Sequence, residues 1–189
     1  MTSPIGLRGH EGRAPDFAGS LDLSGLAPIL RVLLVTDGTV TRTLEAYFDE
    51  AIEVDVLEHA ERSSELAYPQ IDIASGDPIL HRFVTLRGRT TRRVYAAAES
   101  VAVLDHISEE IRRKLIEERK GIGELLREGR LETYRELLTA RRLAAGSWAP
   151  HLGVTPTESV VTRDYRIYQG GRAALLIQEA FPESLFPRH

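Results

Sequence analysis

Two charges stand where their strands should be apolar. From Leu80 to Leu86 the even positions are Leu80, Arg82, Val84 and Leu86, so a guanidinium shares one strand face with three aliphatic side chains. Near the C-terminus Leu175, Ile177, Glu179 and Phe181 repeat the pattern with a carboxylate. Burying a charge costs a large share of a domain's stability unless the charge is paired or solvated. Two arrangements answer that cost. Arg82 and Glu179 neutralise each other in an internal salt bridge, or their faces stay partly wet. Alternatively both line a cavity between a sheet and its helices, where Arg82 grips a ligand carboxylate with its two-pronged guanidinium and Glu179 handles protons.

Other chemical signals are weaker. The six histidines show no metal-ligand spacing such as HExxH, so no metal site is expected. His59 and His81 sit on strands that can be neighbours, but ordinary surface or core histidines explain them as well. Gly121-Ile122-Gly123 opens a helical segment and can offer backbone N–H groups to an anion, yet it lacks the strand and lysine of a nucleotide loop. Arg92-Arg93, Arg112-Arg113 and Arg141-Arg142 are interleaved with Glu109, Glu110, Glu117 and Glu118 and read as solvated faces. Ser100 and Ser147 lack the context of a hydrolase nucleophile.

Composition sets the frame for these residues. The chain has 189 residues, a net charge of −4 and no cysteine. Disulfides, cysteine–zinc sites and thiol catalysis are excluded, and a reducing cytoplasm fits. A net negative charge gives no general attraction for nucleic acid or anionic lipid. No run approaches the ~20 apolar residues of a membrane span, and no signal peptide is evident. Residues 1–20 are rich in glycine and proline and read as a flexible arm, with one domain over residues 21–189.

Within that domain, Ser24 is placed to cap a helix that aligns Leu26, Ile29, Leu30, Leu33 and Leu34. Asp37-Gly38 breaks it, and residues 39–48 form a second helix. Residues 51–60 alternate as a half-buried strand. Residues 62–78, about 17 in number, read as a loop of the kind that forms lids. Residues 79–87 and 92–104 form a hairpin across a turn at 88–91. Asp105 or Ser108 caps a helix to about Glu118 with Ile111 and Leu115 inward, and residues 121–128 form another. Residues 131–145 are ambiguous: Leu131, Tyr134, Leu137 and Leu138 have helical spacing, while Thr133, Tyr134 and Thr139 suit a strand. Residues 160–169 and 172–181 form a hairpin turning at Gly170-Gly171. The class is α+β, with helices packed on an antiparallel sheet.

The sequence resembles the chorismate–pyruvate lyases, in particular their actinobacterial and archaeal branch. The resemblance is carried by Leu30-Arg31-Val32-Leu33-Leu34 with Asp37-Gly38-Thr39-Val40-Thr41-Arg42, by Leu80-His81-Arg82-Phe83-Val84 with Tyr95-Ala96-Ala97-Ala98-Glu99-Ser100, and by Ile122-Gly123-Glu124-Leu125-Leu126. Leu131-Glu132-Thr133-Tyr134, Tyr165-Arg166-Ile167-Tyr168-Gln169-Gly170-Gly171 and Ile177-Gln178-Glu179-Ala180-Phe181-Pro182 complete it in order. The resemblance implies an antiparallel sheet with an internal cavity under flaps, and makes residues 131–142 a strand. It puts the arginine that holds the aromatic carboxylate at Arg82 and the glutamate beside the ring hydroxyl at Glu179. Further substrate contacts fall at Val40, Thr41 and Ile122. One departure stands out: Ala98 occupies the place of a second arginine found in the ubiquinone-pathway lyases, for which Arg42, Arg163 and Arg166 are the candidate replacements.

The activity so implied is a cofactor-free and metal-free elimination of pyruvate from chorismate, giving 4-hydroxybenzoate. Arg82 would anchor the ring carboxylate. Glu179 would bond the hydroxyl and assist the proton's movement, or else only orient the ring while the proton passes directly to the enolpyruvyl methylene. The loop at 62–78 is the expected flap. Two other readings stay open: a non-catalytic domain binding a small aromatic acid, as in regulators of similar fold, and a lyase for a related cyclohexadiene carboxylate. A small-molecule partner is expected, without nucleic acid or membrane; the oligomeric state does not follow from the sequence.

Overall fold

Proline decides where the first helix begins. A helix capped by Ser24 would bury Pro28 one turn inside, where the ring lacks the N–H needed to bond the Ser24 carbonyl. A computed structural model, which describes residues 23–36, 39–117, 122 and 133–188, instead has a 3-10 turn at Leu23–Gly25 and starts α1 at Pro28 (Pro28–Val35). The arm at 1–20 lies outside the described residues, as does most of the segment read as a helix at 121–128. Helix α1 buries Leu30, Leu33 and Leu34, each worth roughly 1.5–3 kcal/mol of apolar transfer. Helix α2 (Val40–Phe48) buries Val40 and Leu44, one turn apart on the same side.

Six strands follow the alternation. They are β1 (Ile52–Ser63), β2 (Pro78–Gly88), β3 (Val94–Ala102), β4 (Thr133–Ala144), β5 (Ser159–Gln169) and β6 (Arg172–Pro182). They form one antiparallel sheet in the order β1-β2-β3-β6-β5-β4. Helix α3 (Glu109–Glu117) begins after Ser108, and a single helical turn, α4 (Ala149–Leu152), precedes β5. The ambiguous segment is a strand, as the resemblance implied: its partner β5 supplies the ladder that overrides its helical spacing. The first hairpin turns later than read. Arg92 sits at φ 60° in the left-handed region, so β3 starts at Val94.

Register places both anomalous charges on one face. Arg82 pairs with Ser100, Ser100 with Ile177, Ile177 with Tyr165 and Tyr165 with Leu137. The next row along runs Val84, Ala98, Glu179, Arg163 and Ala140. At one end of this front face, α1 and α2 cover Leu86, Ala96, Val161 and Phe181. At the other end Leu104, Ile107, Leu115 and Ile122 cover Leu80, Ala102, Ile167 and Leu175.

The opposite face is closed separately. Tyr68, Ile71 and Ile73 pack on Ile79, Val101 and Leu176, while Trp148, Ala149 and Leu152 pack with Phe83, Ala97 and Ala180. The expected flap at 62–78 is therefore corrected. Its apolar residues cover the rear of the sheet, and the end of the β1–β2 hairpin reaches either face equally well from sequence alone. Between these rear clusters lie buried polar groups. His81 spans Glu58 and Glu99 at 2.8 and 2.7 Å, and Gln178 donates to Asp164 at 2.7 Å.

Candidate functional site

A pocket lies on the front face between the two covered ends. Every strand contributes to its wall: Val54 from β1, Arg82 from β2, Ser100 from β3, Glu179 from β6, Tyr165 from β5 and Arg135 from β4. Thr39, Val40 and Thr41 at the start of α2 and Ile122 close the other side. Helix α2 begins there without a side-chain cap, so its first-turn N–H groups, which have no intrahelical acceptor, are at the pocket's edge.

Arg82 is only 1% exposed, and burial draws its pKa down to about 10. It remains cationic at neutral pH. The wall around it is largely aliphatic, with Val84 and Leu86 on the same strand face. Such a cation in low-dielectric surroundings attracts a carboxylate far more strongly than one in water would.

Glu179 is not the partner of Arg82. Arg163 Nε donates to Glu179 Oε2 at 2.6 Å, and Tyr165 donates its hydroxyl proton to Oε1 at 3.0 Å. Arg163 also donates to the Thr36 carbonyl at 2.8 Å, tying this pair to the end of α1. Burial works against the charge on Arg163, but the Glu179 carboxylate beside it prevails and its pKa moves up. Burial, reinforced by Glu179, pushes the Tyr165 hydroxyl up, so Tyr165 stays a proton donor. Each carboxylate oxygen has more than one lone pair, so Glu179 can accept a further hydrogen bond from a guest in the pocket.

Arg82, Glu179, Val40, Thr41 and Ile122 thus meet at one pocket. Arg163 borders a smaller adjoining space, which shares Arg135 and Tyr165 with the first. Arg42 does not join them. With Val40 and Leu44 turned inward on α2, Arg42 projects to solvent and is corrected as a binding residue. Arg166 faces the rear, where it pairs with Glu136 at 2.7 Å. Sequence reading missed Tyr165 and Arg135. Tyr165 carries a usable signal, since it lies two residues from Arg163 and so shares its face. Arg135 carries none while its segment is undecided between helix and strand.

Comparison with known proteins sets this geometry in context. The family model "Chorismate pyruvate-lyase Rv2949c-like" matches residues 34–187. A chorismate pyruvate-lyase of Mycobacterium leprae is 30% identical over 158 residues, 83% of this chain and 75% of that protein. One of Mycobacterium tuberculosis is 26% identical over 174 residues, 90% of this chain and 87% of that protein. Among solved structures, the effector domain of PhnF from Mycobacterium smegmatis has a TM-score of 0.61 at 11% identity, covering 79% of this chain and 91% of that one. The C-terminal domain of the histidine utilization repressor from Pseudomonas syringae has a TM-score of 0.55 at 13% identity, over 73% and 94%. The likeness to these two structures is one of fold alone.

Proposed function

Because this chain belongs to the Rv2949c-like chorismate pyruvate-lyase family, we propose that it eliminates pyruvate from chorismate and releases 4-hydroxybenzoate. The observation that carries the reading is that Arg82 and Glu179 border one pocket while the Glu179 charge is met by Arg163. A carboxylic acid with a ring hydroxyl has a cation for one end and an acceptor for the other. A cysteine-free chain acting on a soluble acid fits the cytoplasm.

The reaction breaks the bond between the ring and the ether oxygen. The ring carbon bearing the hydroxyl loses its proton, the ring becomes aromatic, and the enolpyruvyl fragment gains a proton at its methylene to leave as pyruvate. Aromatisation supplies the driving force, so the protein's task is to fix one conformer and move one proton. Arg82 holds the ring carboxylate in a two-point contact. Glu179 accepts the hydrogen bond of the ring hydroxyl and assists transfer of the neighbouring proton. Arg163 and Tyr165 hold the Glu179 carboxylate in place, which is the orientation that makes such proximity effective. Backbone N–H groups at the start of α2 face the same acid.

Incubating the purified protein with chorismate tests this. Equal amounts of pyruvate and 4-hydroxybenzoate are expected. Tight binding of 4-hydroxybenzoate without turnover would make the protein an acid-binding domain, and neither binding nor turnover would overturn the reading. Glu179→Gln is expected to lower kcat about 10²–10⁴-fold, read by pyruvate release. Near-normal turnover would assign the proton's passage to the substrate itself and leave Glu179 as an orienting group.

A further inference from the structure

We infer that Tyr165 is a second catalytic residue, the acid that gives the leaving fragment its proton, working in relay with Glu179. The inference rests on the functional reading above and goes beyond it by assigning the source of the proton that ends on the methylene.

Tyr165 stands where such a donor is needed. It lines the pocket and also the adjoining space. A guest anchored at Arg82 on β2 extends across β3 toward Glu179 on β6 and then Tyr165 on β5, two and three strand spacings away, or about 10 and 14 Å. On the chorismate ring the hydroxyl and the ether lie on opposite faces, so the hydrogen lost and the ether broken share one face. Base and acid must then lie on the same side of the ring, and two groups joined by a 3.0 Å hydrogen bond do so. The other hydroxyls of the described pocket wall, those of Thr39, Thr41 and Ser100, are aliphatic and far weaker acids than a phenol.

The surroundings of the ring suit a hydroxyl that gives up its proton briefly. The guanidiniums of Arg163 and Arg135 lie 4.9 and 5.9 Å from its centroid, so a passing tyrosinate has two cations beside it. Burial and the Glu179 charge keep the hydroxyl protonated at rest, and the two arginines act in the other direction.

The relay balances. Glu179 takes the proton from the hydroxyl-bearing ring carbon, and the electron pair of that C–H bond becomes a ring double bond. The ring–ether bond breaks, and its pair becomes the new carbonyl bond of pyruvate. The enol double bond supplies the pair that takes the Tyr165 proton at the methylene. Glu179, now an acid, donates across the same hydrogen bond and restores Tyr165. Both residues end as they began.

The test is a single turnover, with protein in excess and in ordinary water, of chorismate carrying deuterium on the hydroxyl-bearing carbon. The wild-type protein is expected to release pyruvate with an unlabelled methyl group, because the first proton delivered is the one from Tyr165. Tyr165→Phe should lower kcat about 10²–10⁴-fold. It should bind 4-hydroxybenzoate as tightly as the wild type by calorimetry, which also shows that the variant is folded. Its residual pyruvate should carry the deuterium in the methyl group, by direct transfer within the substrate. Loss of a merely positional bond to Glu179 would slow the reaction without moving the label. Deuterium in the methyl group from the wild type, near-normal turnover by Y165F, slow turnover by Y165F with the methyl still unlabelled, or an equal loss of affinity and turnover would each overturn the relay and leave the lyase standing. No pyruvate from the wild-type protein would overturn the lyase reading and the relay with it.

Discussion

Arg163 and Arg82 are both buried guanidiniums, but removing them has different consequences. Arg163→Met leaves the Glu179 carboxylate, 9% exposed, without its ion pair, and should destabilise the protein by about 3–5 kcal/mol in a urea titration. Arg82→Met should be felt chiefly as lost affinity for 4-hydroxybenzoate, since the guanidinium is the proposed anchor of the acid. A loss of stability in Arg82→Met without a loss of that affinity would mean that Arg82 is a structural charge. Arg82 and Glu179 were legible in the sequence because a charge on an otherwise aliphatic face breaks a period of two. Which partner each would take was not, since that depends on the order in which β2, β3, β6 and β5 stack. Arg163 faces Glu179 only because an irregularity between Ile167 and Tyr168 shifts by one residue the β5–β6 register set at the turn, where Gly170 and Gly171 are both at positive φ.

At the scale of elements, Glu50 joins the exit of α2 to the β2–β3 turn. Its carboxylate accepts from the N–H groups of Thr90 and Thr91 at 2.9 and 3.1 Å and from the Tyr95 hydroxyl. The Tyr95 bond, aided by those of Thr91 and Thr90, outweighs burial and holds the Glu50 pKa at about 2, below the ordinary 4.5. The folded-state pKa is depressed, so this clamp contributes fully above pH 4.5 and is lost as pH falls toward 2. Glu50→Gln should therefore lower stability at neutral pH and flatten its dependence on pH across that window; a variant with the wild-type acid profile would show that the clamp does not couple to folding. No reading of the sequence finds this pair of segments, which are about 40 residues apart and joined by a turn whose Arg92 adopts an unusual φ. The start of α1 was legible in principle from Pro28, which overrules the more obvious cap at Ser24.

At the scale of the molecule, one sheet keeps two different faces. The front is covered at its ends and holds the pocket; the rear is closed by residues 64–77 and by the segment around Trp148. Ile71 is fully buried behind the sheet, so Ile71→Ala should cost about 2–5 kcal/mol of stability and leave kcat and KM for chorismate unchanged. A selective change in KM would return the segment to the role of a flap. The α+β class and the antiparallel sheet were legible from alternation and turn residues. The assignment of loops to faces was not, because a hairpin end gives no signal of the side to which it folds. The central claim is that a single small acid lies between Arg82 and Glu179. Its most direct test is calorimetric titration of 4-hydroxybenzoate into the wild-type protein and into Arg82→Met. The account predicts one site per chain and a loss of roughly 30-fold or more in the variant; equal affinity in the two proteins would contradict it.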